Sequence, residues 1–245
     1  MTTEITFRSG SDVELIQYCG SDEMILRSAW VSTKGDVSKD EAIPDDKLRG
    51  TINYLMKHRH GTPFEHNSMT FFVRAPIFVW REWHRHRIGF SYNEESGRYK
   101  QLDPVFYVSP FDRPCRKVDG WKPGRPKFLS CVEAVDVASL ADLNSRVMAS
   151  CEEAYTAYVA NLDAGFDPGL ARVCLPVGIY SSCWVTCNAR SLMAFLSLRI
   201  EDHSAMFVSY PLFEIDEAAR KVEEIFASLF PVTHEAFAQN GRVAP

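Results

Sequence analysis

Apolar positions along this chain recur at two periods, one near two residues and one near three and a half, and their succession outlines a mixed fold. Val13 to Tyr18 reads as a short strand, and a helix follows around Asp22 to Ala29. Lys39 to His58 reads as helical. Acidic residues and Pro44 open it, and Leu48, Ile52, Leu55 and Met56 fall at helical spacing. Ser68 to Ala75 reads as a strand, after which Pro76 can open a helix running through Trp83 to about Arg87. Arg113 to Pro126, rich in Pro, Gly, Lys and Arg, reads as an exposed loop. Ala134 to Leu162 is a long amphipathic helical stretch. Pro168 to Val173 starts a short helix that Pro176 stops. Gly178 to Thr186, rich in β-branched and aromatic residues, reads as a strand. Asn188 caps a helix through Arg199, and beyond Pro211 helical spacing resumes from about Ile215 to Leu229. Strands and helices in this irregular order predict an α+β fold, a central mixed sheet flanked by helices, in one domain spanning 1–245. No G-x-G-x-x-G is present, so a standard dinucleotide fold has no support.

Composition narrows the classes. A chain of 245 residues can bury a substantial core. Its net charge of −5 gives no global footprint for binding nucleic acid or an anionic membrane surface. No apolar run approaches bilayer length, and the N-terminus lacks the basic start and apolar stretch of a signal peptide. The seven cysteines are odd in number and scattered, which points to reduced thiols in a cytoplasmic protein.

The basic residues are instead concentrated locally. The stretch R-H-R-I-G-F-S-Y-N-E-E-S-G-R-Y begins at Arg85, His86 and Arg87, and continues through Ser91, Asn93, Glu94, Glu95, Ser96, Gly97, Arg98 and Tyr99. Arginine presents a rigid fork of donors that matches phosphate oxygens or an imide edge. Glu and Asn supply acceptors for ribose or base edges. Such a mix suits a phosphorylated, planar ligand, and the apolar run Ala75 to Trp80 before it predicts delivery from a rigid element.

This segment resembles the signature of the flavin-dependent thymidylate synthases, in which R-H-R is followed after seven or eight residues by S. Here eight residues separate Arg87 from Ser96, one more than in the shorter form, with the extra residue near Phe90. The resemblance extends over about residues 24 to 205. Upstream it includes Tyr54-Leu55-Met56-Lys57-His58 and Thr62-Pro63-Phe64-Glu65-His66. Downstream it includes Ala171-Arg172-Val173-Cys174-Leu175-Pro176, Asn188-Ala189-Arg190-Ser191-Leu192 and Leu196-Ser197-Leu198-Arg199. It implies a homotetramer with active sites shared between subunits. The implied activity is methylation of dUMP, with methylenetetrahydrofolate as carbon donor, FAD as hydride carrier and NADPH as reductant. It also assigns Ser32, His60, Thr62, Arg85, His86, Arg87, Asn93, Glu94, Asn188 and Arg190 to FAD. Glu82, Trp83, His84, Arg85, Glu94, Glu95, Ser96, Gly97, Arg98, Arg172 and Arg199 go to dUMP. Arg199, arriving at the end of an apolar helical run where a charge needs a partner, is the residue implied for catalysis. It would stabilise negative charge developing on the uracil. Two positions depart from the family pattern. Glu82 stands where a Gln is common, and Ala194 where an Asn often follows. A carboxylate accepts but cannot donate as an amide does.

Other readings compete for the same residues. A single arginine belongs most often on a solvated face. His58, His60, His66, His84 and His86 lack the H-E-x-x-H or C-x-x-C context of a metal site, so no metal is expected. Pro114-Cys115-Arg116 places a thiol beside a cation, which suits a Cys-dependent methyltransferase, but no paired His accompanies it. Ser96 has no G-x-S-x-G elbow around it. A module that stacks single-stranded RNA on Arg and aromatic residues is the rival outside enzymology, and it would lack a flavin.

Overall fold

The computed structural model describes residues 4–35, 42–120, 122, 128–130, 132 and 136–245. Among these, strands and helices are mixed in the irregular order that the sequence predicts, and the class is α+β. In chain order they are β1 (Thr6–Arg8), β2 (Asp12–Cys19), α1 (Asp22–Lys34), α2 (Asp45–Lys57), β3 (Ser68–Pro76), α3 (Ile77–Trp83), β4 (Phe90–Glu94), β5 (Val105–Tyr107), β6 (Pro114–Lys117), β7 (Phe128–Ser130), α4 (Val137–Asp163), α5 (Pro168–Ala171), β8 (Tyr180–Cys187), α6 (Ala189–Arg199), α7 (Phe213–Leu229) and α8 (Pro231–Gln239). The largest sheet has the order β2-β3-β8-β4, so β4 lies at an edge.

The chain forms two compact units, neither of them a single continuous segment. One comprises 1–12, 74–83 and 94–183; the other comprises 13–73, 84–93 and 184–245. The chain passes from one to the other five times: within β2 after Asp12, within β3 after Val73, after Trp83 at the end of α3, within β4 after Asn93, and within β8 after Cys183.

In the first unit β1 pairs in parallel with β5, Phe7 opposite Phe106. The apolar face of α4 supplies Cys151, Tyr155 and Tyr158 to a core with Leu102, Phe106, Ala171 and Ile179. The tyrosine hydroxyls are satisfied at the rim. Tyr158 Oη accepts from the Leu102 amide at 3.1 Å, and Tyr155 Oη donates to the Leu102 carbonyl at 3.0 Å. Two aromatic rings are thereby buried without stranding a polar atom.

The second unit is mostly helical. Ser21 caps α1 by accepting from the Met24 amide at 3.2 Å, Asp22 and Glu23 sit in the first turn, and Gly35 at φ 75 ends it. Ile25, Leu26, Ile52, Met56, Phe195, Ile215, Val222, Phe226, Phe230 and Phe237 form its buried face. Helix α8 starts at Pro231, whose missing N–H suits that position. Buried Asp22 accepts from the amides of Val232 at 2.9 Å and Thr233 at 3.0 Å.

Three expectations need correction. Helix α3 ends at Trp83 rather than about Arg87, and β4 follows it as a strand that periodicity did not predict. Part of the expected Arg113–Pro126 loop is strand: β6 pairs antiparallel with β7, Lys117 opposite Phe128. Positions 121 and 123–126 of that stretch lie outside the described residues. Cross-strand hydrogen bonds outweigh the poor local strand propensity of Pro and Arg there.

Candidate active site

The residues singled out in the sequence divide between the two units. Ser32, His60, Thr62, His84, Arg85, His86, Arg87, Asn93, Asn188, Arg190 and Arg199 belong to the helical unit. Glu82, Trp83, Glu94, Glu95, Ser96, Gly97, Arg98 and Arg172 belong to the other.

In the helical unit Gly89, two residues after the R-H-R segment, lies against the first turn of α6. Asn188 caps that helix, its Oδ1 accepting from the Ser191 amide at 2.9 Å. Gly89 has φ +68, and a Cβ there would stand 2.1 Å from Ser191 Oγ and 3.2 Å from Asn188 Nδ2. Only glycine takes that backbone conformation at that distance without strain. Gly61 is a second close approach: a Cβ would lie 2.4 Å from Arg190 Cζ. The Arg190 guanidinium there donates from Nε to the Pro245 carbonyl at 2.7 Å and pairs through Nη1 with Glu65 at 2.5 Å. His60 and Thr62, at the turn before β3, are exposed, as is Ser32 on α1, whose hydroxyl donates to the Ala29 carbonyl at 2.8 Å. The His60 ring lies 5.9 Å from that of Tyr54. Asn93 is exposed on β4.

Arg85, His86 and Arg87 have different surroundings. Both arginines are exposed, and neither forms an ion pair among the described residues. His86 is half-buried. Its ring meets Phe195 edge-on at 5.0 Å and lies 6.1 Å from Phe90, while Phe90 stacks on Tyr92 at 5.8 Å. Tyr92 Oη donates to the His86 carbonyl at 2.6 Å. The His84 ring meets Tyr92 edge-on at 4.8 Å. Arg199 Nε, in the last turn of α6, donates to His86 Nε2 at 3.0 Å. Burial, and then the Arg199 charge, push the imidazole down to about 4. The ring is therefore neutral at physiological pH.

In the other unit buried Trp83 lies tilted against Trp80, ring centroids 5.3 Å apart, and Trp80 Nε1 donates to the carbonyls of Ala75 and Ser181, each at 3.1 Å. Glu82 is half-buried beside it. Two serines of β8 orient the carboxylates at the end of β4. Ser181 Oγ donates to Glu94 at 2.6 Å, and the Ser182 amide donates to Glu95 at 2.7 Å. Lys100 closes on Glu95 at 3.0 Å. Ser96 Oγ accepts from the Arg98 amide at 3.3 Å, and its carbonyl accepts from the Tyr99 amide at 3.0 Å, which shapes the turn. Gly97 is buried: a Cβ there would stand 3.2 Å from Arg172 Cδ. A Cβ at Gly169 would stand 3.7 Å from Arg98 Cγ. Arg98 and Arg172 both keep exposed side chains.

Sequence reading missed Ser181, Ser182, Gly61, Gly89, Phe90 and Phe195. The serines sit within a strand pattern that carries no sign of chemistry, and the aromatics read as core. The signal for Gly89 was its place inside a polar signature, where a glycine marks close approach.

Within the helical unit exposed Arg85 and Arg87 flank a neutral imidazole that holds the Arg199 guanidinium, and within the other unit exposed Arg98 and Arg172 lie beside close-approach glycines. The family described as thymidylate synthase complementing protein matches residues 14–232. A flavin-dependent thymidylate synthase of Streptomyces avermitilis is 49% identical over 98% of this chain and 96% of its own length. One from Streptomyces coelicolor is 48% identical over 99% of this chain and 96% of its own. Among solved structures, the UMP/dUMP methylase PolB of Streptomyces cacaoi, bound with 5-Br dUMP, superposes with a TM-score of 0.88. It shares 43% identity over 98% of this chain and all of that one. The chain belongs to the flavin-dependent thymidylate synthase family.

Proposed function

We propose that the chain converts dUMP to dTMP, with 5,10-methylenetetrahydrofolate as carbon donor, FAD as hydride carrier and NADPH as reductant. The observation that carries this reading is the likeness to PolB, a UMP/dUMP methylase, at a TM-score of 0.88 and 43% identity over nearly the whole chain.

The donor set fits a flavin dinucleotide. Exposed Arg85 and Arg87, Arg190 held beside Gly61, and exposed Thr62 offer charge-assisted and hydroxyl donors to a pyrophosphate. Ser32, His60, His86, Asn93, Glu94 and Asn188 complete the set. Bound there, FAD supplies the hydride. Arg98, Arg172 and Ser96 grip the nucleotide phosphate. Glu82, Trp83, His84, Glu94, Glu95 and Gly97 shape the uracil side. Glu94 and Glu95 are pre-oriented by the β8 serines, which lowers the cost of ordering them on binding. Arg85 serves both ligands. Arg199 stabilises negative charge that develops on the uracil ring as C5 exchanges its hydrogen for a methyl group.

The reading extends to a cytoplasmic homotetramer acting on small molecules rather than nucleic acid. Among the described residues no helix is long and apolar enough to cross a membrane. Exposed Ile88, Tyr99, Met206 and Phe207 support burial of surface between subunits.

The test is to purify the protein, record its visible spectrum and incubate it with dUMP, methylenetetrahydrofolate and NADPH. A flavin spectrum and dTMP formation are expected. A colourless protein that makes no dTMP with added FAD would overturn the reading. A parallel reaction with UMP decides whether the ribonucleotide is also taken.

A further inference from the structure

We propose that His86 is a positioning residue for Arg199: with its proton on Nδ1, it uses the Nε2 lone pair to hold the guanidinium at its Nε edge and so fixes the plane in which Arg199 meets the substrate ring. This rests on the reading of Arg199 as the charge-stabilising group.

Donor chemistry carries the inference. A guanidinium has only donors. Arg199 Nε stands 3.0 Å from His86 Nε2, so Nε2 is the acceptor and the ring proton is on Nδ1. An imidazolium would offer N–H at both nitrogens and would set two cations side by side. The surroundings oppose that form. Phe195 meets the ring edge-on at 5.0 Å and Phe90 lies 6.1 Å away, so the ring is partly removed from water and the neutral state is favoured. The ring's own position is pinned through the backbone, where Tyr92 Oη donates to the His86 carbonyl at 2.6 Å.

The holder and the held group come from different parts of one unit. His86 belongs to the loop that Gly89 presses against α6, and Arg199 belongs to the last turn of the same helix. Phe195, one turn before Arg199, packs on the ring that holds it. A hydrogen bond at Nε restrains rotation of the guanidinium about its long axis, and so decides where the two Nη atoms point. Lysine has no Nε edge, so Arg199→Lys would lose the restraint as well as the fork.

The experiment compares His86→Phe, which keeps an aromatic ring but no acceptor, with His86→Gln, which keeps an acceptor. Turnover is measured at saturating FAD and dUMP, flavin occupancy by absorbance, and dUMP affinity by calorimetry. His86→Phe is expected to lower kcat about tenfold to a hundredfold, the scale of a misplaced catalytic group, with a smaller change in dUMP affinity. His86→Gln should recover part of the loss. The His86→Phe/Arg199→Ala double variant should be no slower than Arg199→Ala alone, since the two act as one device. Wild-type kcat in flavin-loaded His86→Phe, or losses that multiply in the double variant, would overturn the proposal. Wild-type turnover in Arg199→Ala would instead sink the underlying reading of Arg199. Should His86→Phe fail to load flavin, nitrogen-15 NMR of the unaltered protein decides: an Nε2-protonated ring at neutral pH rules the contact out, and an Nδ1-protonated ring upholds it.

Discussion

Arg85 and Arg87 flank a histidine that is packed among aromatic rings, and their exposure gives the three residues separate duties. Two cations on open surface without ion pairs among the described residues retain their full hydration until a ligand replaces it. A charge-assisted contact to a phosphate is worth about 1.5–3 kcal/mol, or about tenfold or more in affinity. Arg87→Ala should therefore release FAD at low free cofactor, which equilibrium dialysis followed by absorbance would read; full retention would move Arg87 off the cofactor list. His86 carries a different consequence. Its folded value, about 4, lies below the ordinary 6.5 because of burial and then the Arg199 charge. Between those values the unfolded chain binds a proton that the native ring refuses, so stability falls as pH drops from 6.5 towards 4 and levels off below. Urea unfolding at pH 7 and pH 5 checks the sign. The unaltered protein should lose more stability between the two than His86→Gln does.

Among the elements, α8 shows how a helix start can be fixed from far away in sequence. Its first amides find no side chain of their own segment. Instead Asp22, the first residue of α1, accepts from Val232 and Thr233 at 2.9 and 3.0 Å, and from the Thr233 hydroxyl at 2.5 Å. Removing a buried acceptor strands those donors, at about 1–3 kcal/mol. Asp22→Ala should lower the urea midpoint accordingly, with Asp22→Asn falling less because one oxygen remains to accept; an unchanged Asp22→Ala midpoint would refute the role. No periodicity within 231–239 announces that cap, which is why the helix escaped the sequence reading. Elements whose determinants are local were legible: Asn188 caps α6, and the short apolar-rich run at 68–75 gives β3. Those made by pairing were not. Strands β1 and β5 are three residues each and exist through their ladder, and β4 is an edge strand with polar residues on most positions. The site divides the same way. Its arginines and carboxylates could be named from the signature, because charge in a short segment is visible in sequence. The partners that orient them, Ser181, Ser182 and Phe195, could not, because they come from other elements and have unremarkable local context.

At the scale of the molecule, the two arginines with the clearest separate tasks fall in different compact units, Arg98 in one and Arg199 in the other. Exposed Ile88, Tyr99, Met206 and Phe207 leave a single chain with apolar surface near signature residues and beyond α6. Burial of such surface favours association, at about 25 cal/mol per Å² removed from water. In the proposed homotetramer with shared sites, each site would draw Arg98 from one subunit and Arg199 from another. The arrangement has a consequence that a self-contained subunit lacks. Arg98→Ala and Arg199→Ala should each be nearly inactive as homogeneous proteins. Co-expressed in equal amounts, they would assemble at random, and about a quarter of the sites would receive both arginines intact. Activity of the co-expressed sample should then approach that fraction of the unaltered enzyme, with light scattering reporting a tetramer. If each site took both arginines from one subunit, every site in the mixture would lack one of them and activity would stay at the level of the single variants. That outcome, or a monomer in solution, would refute shared sites.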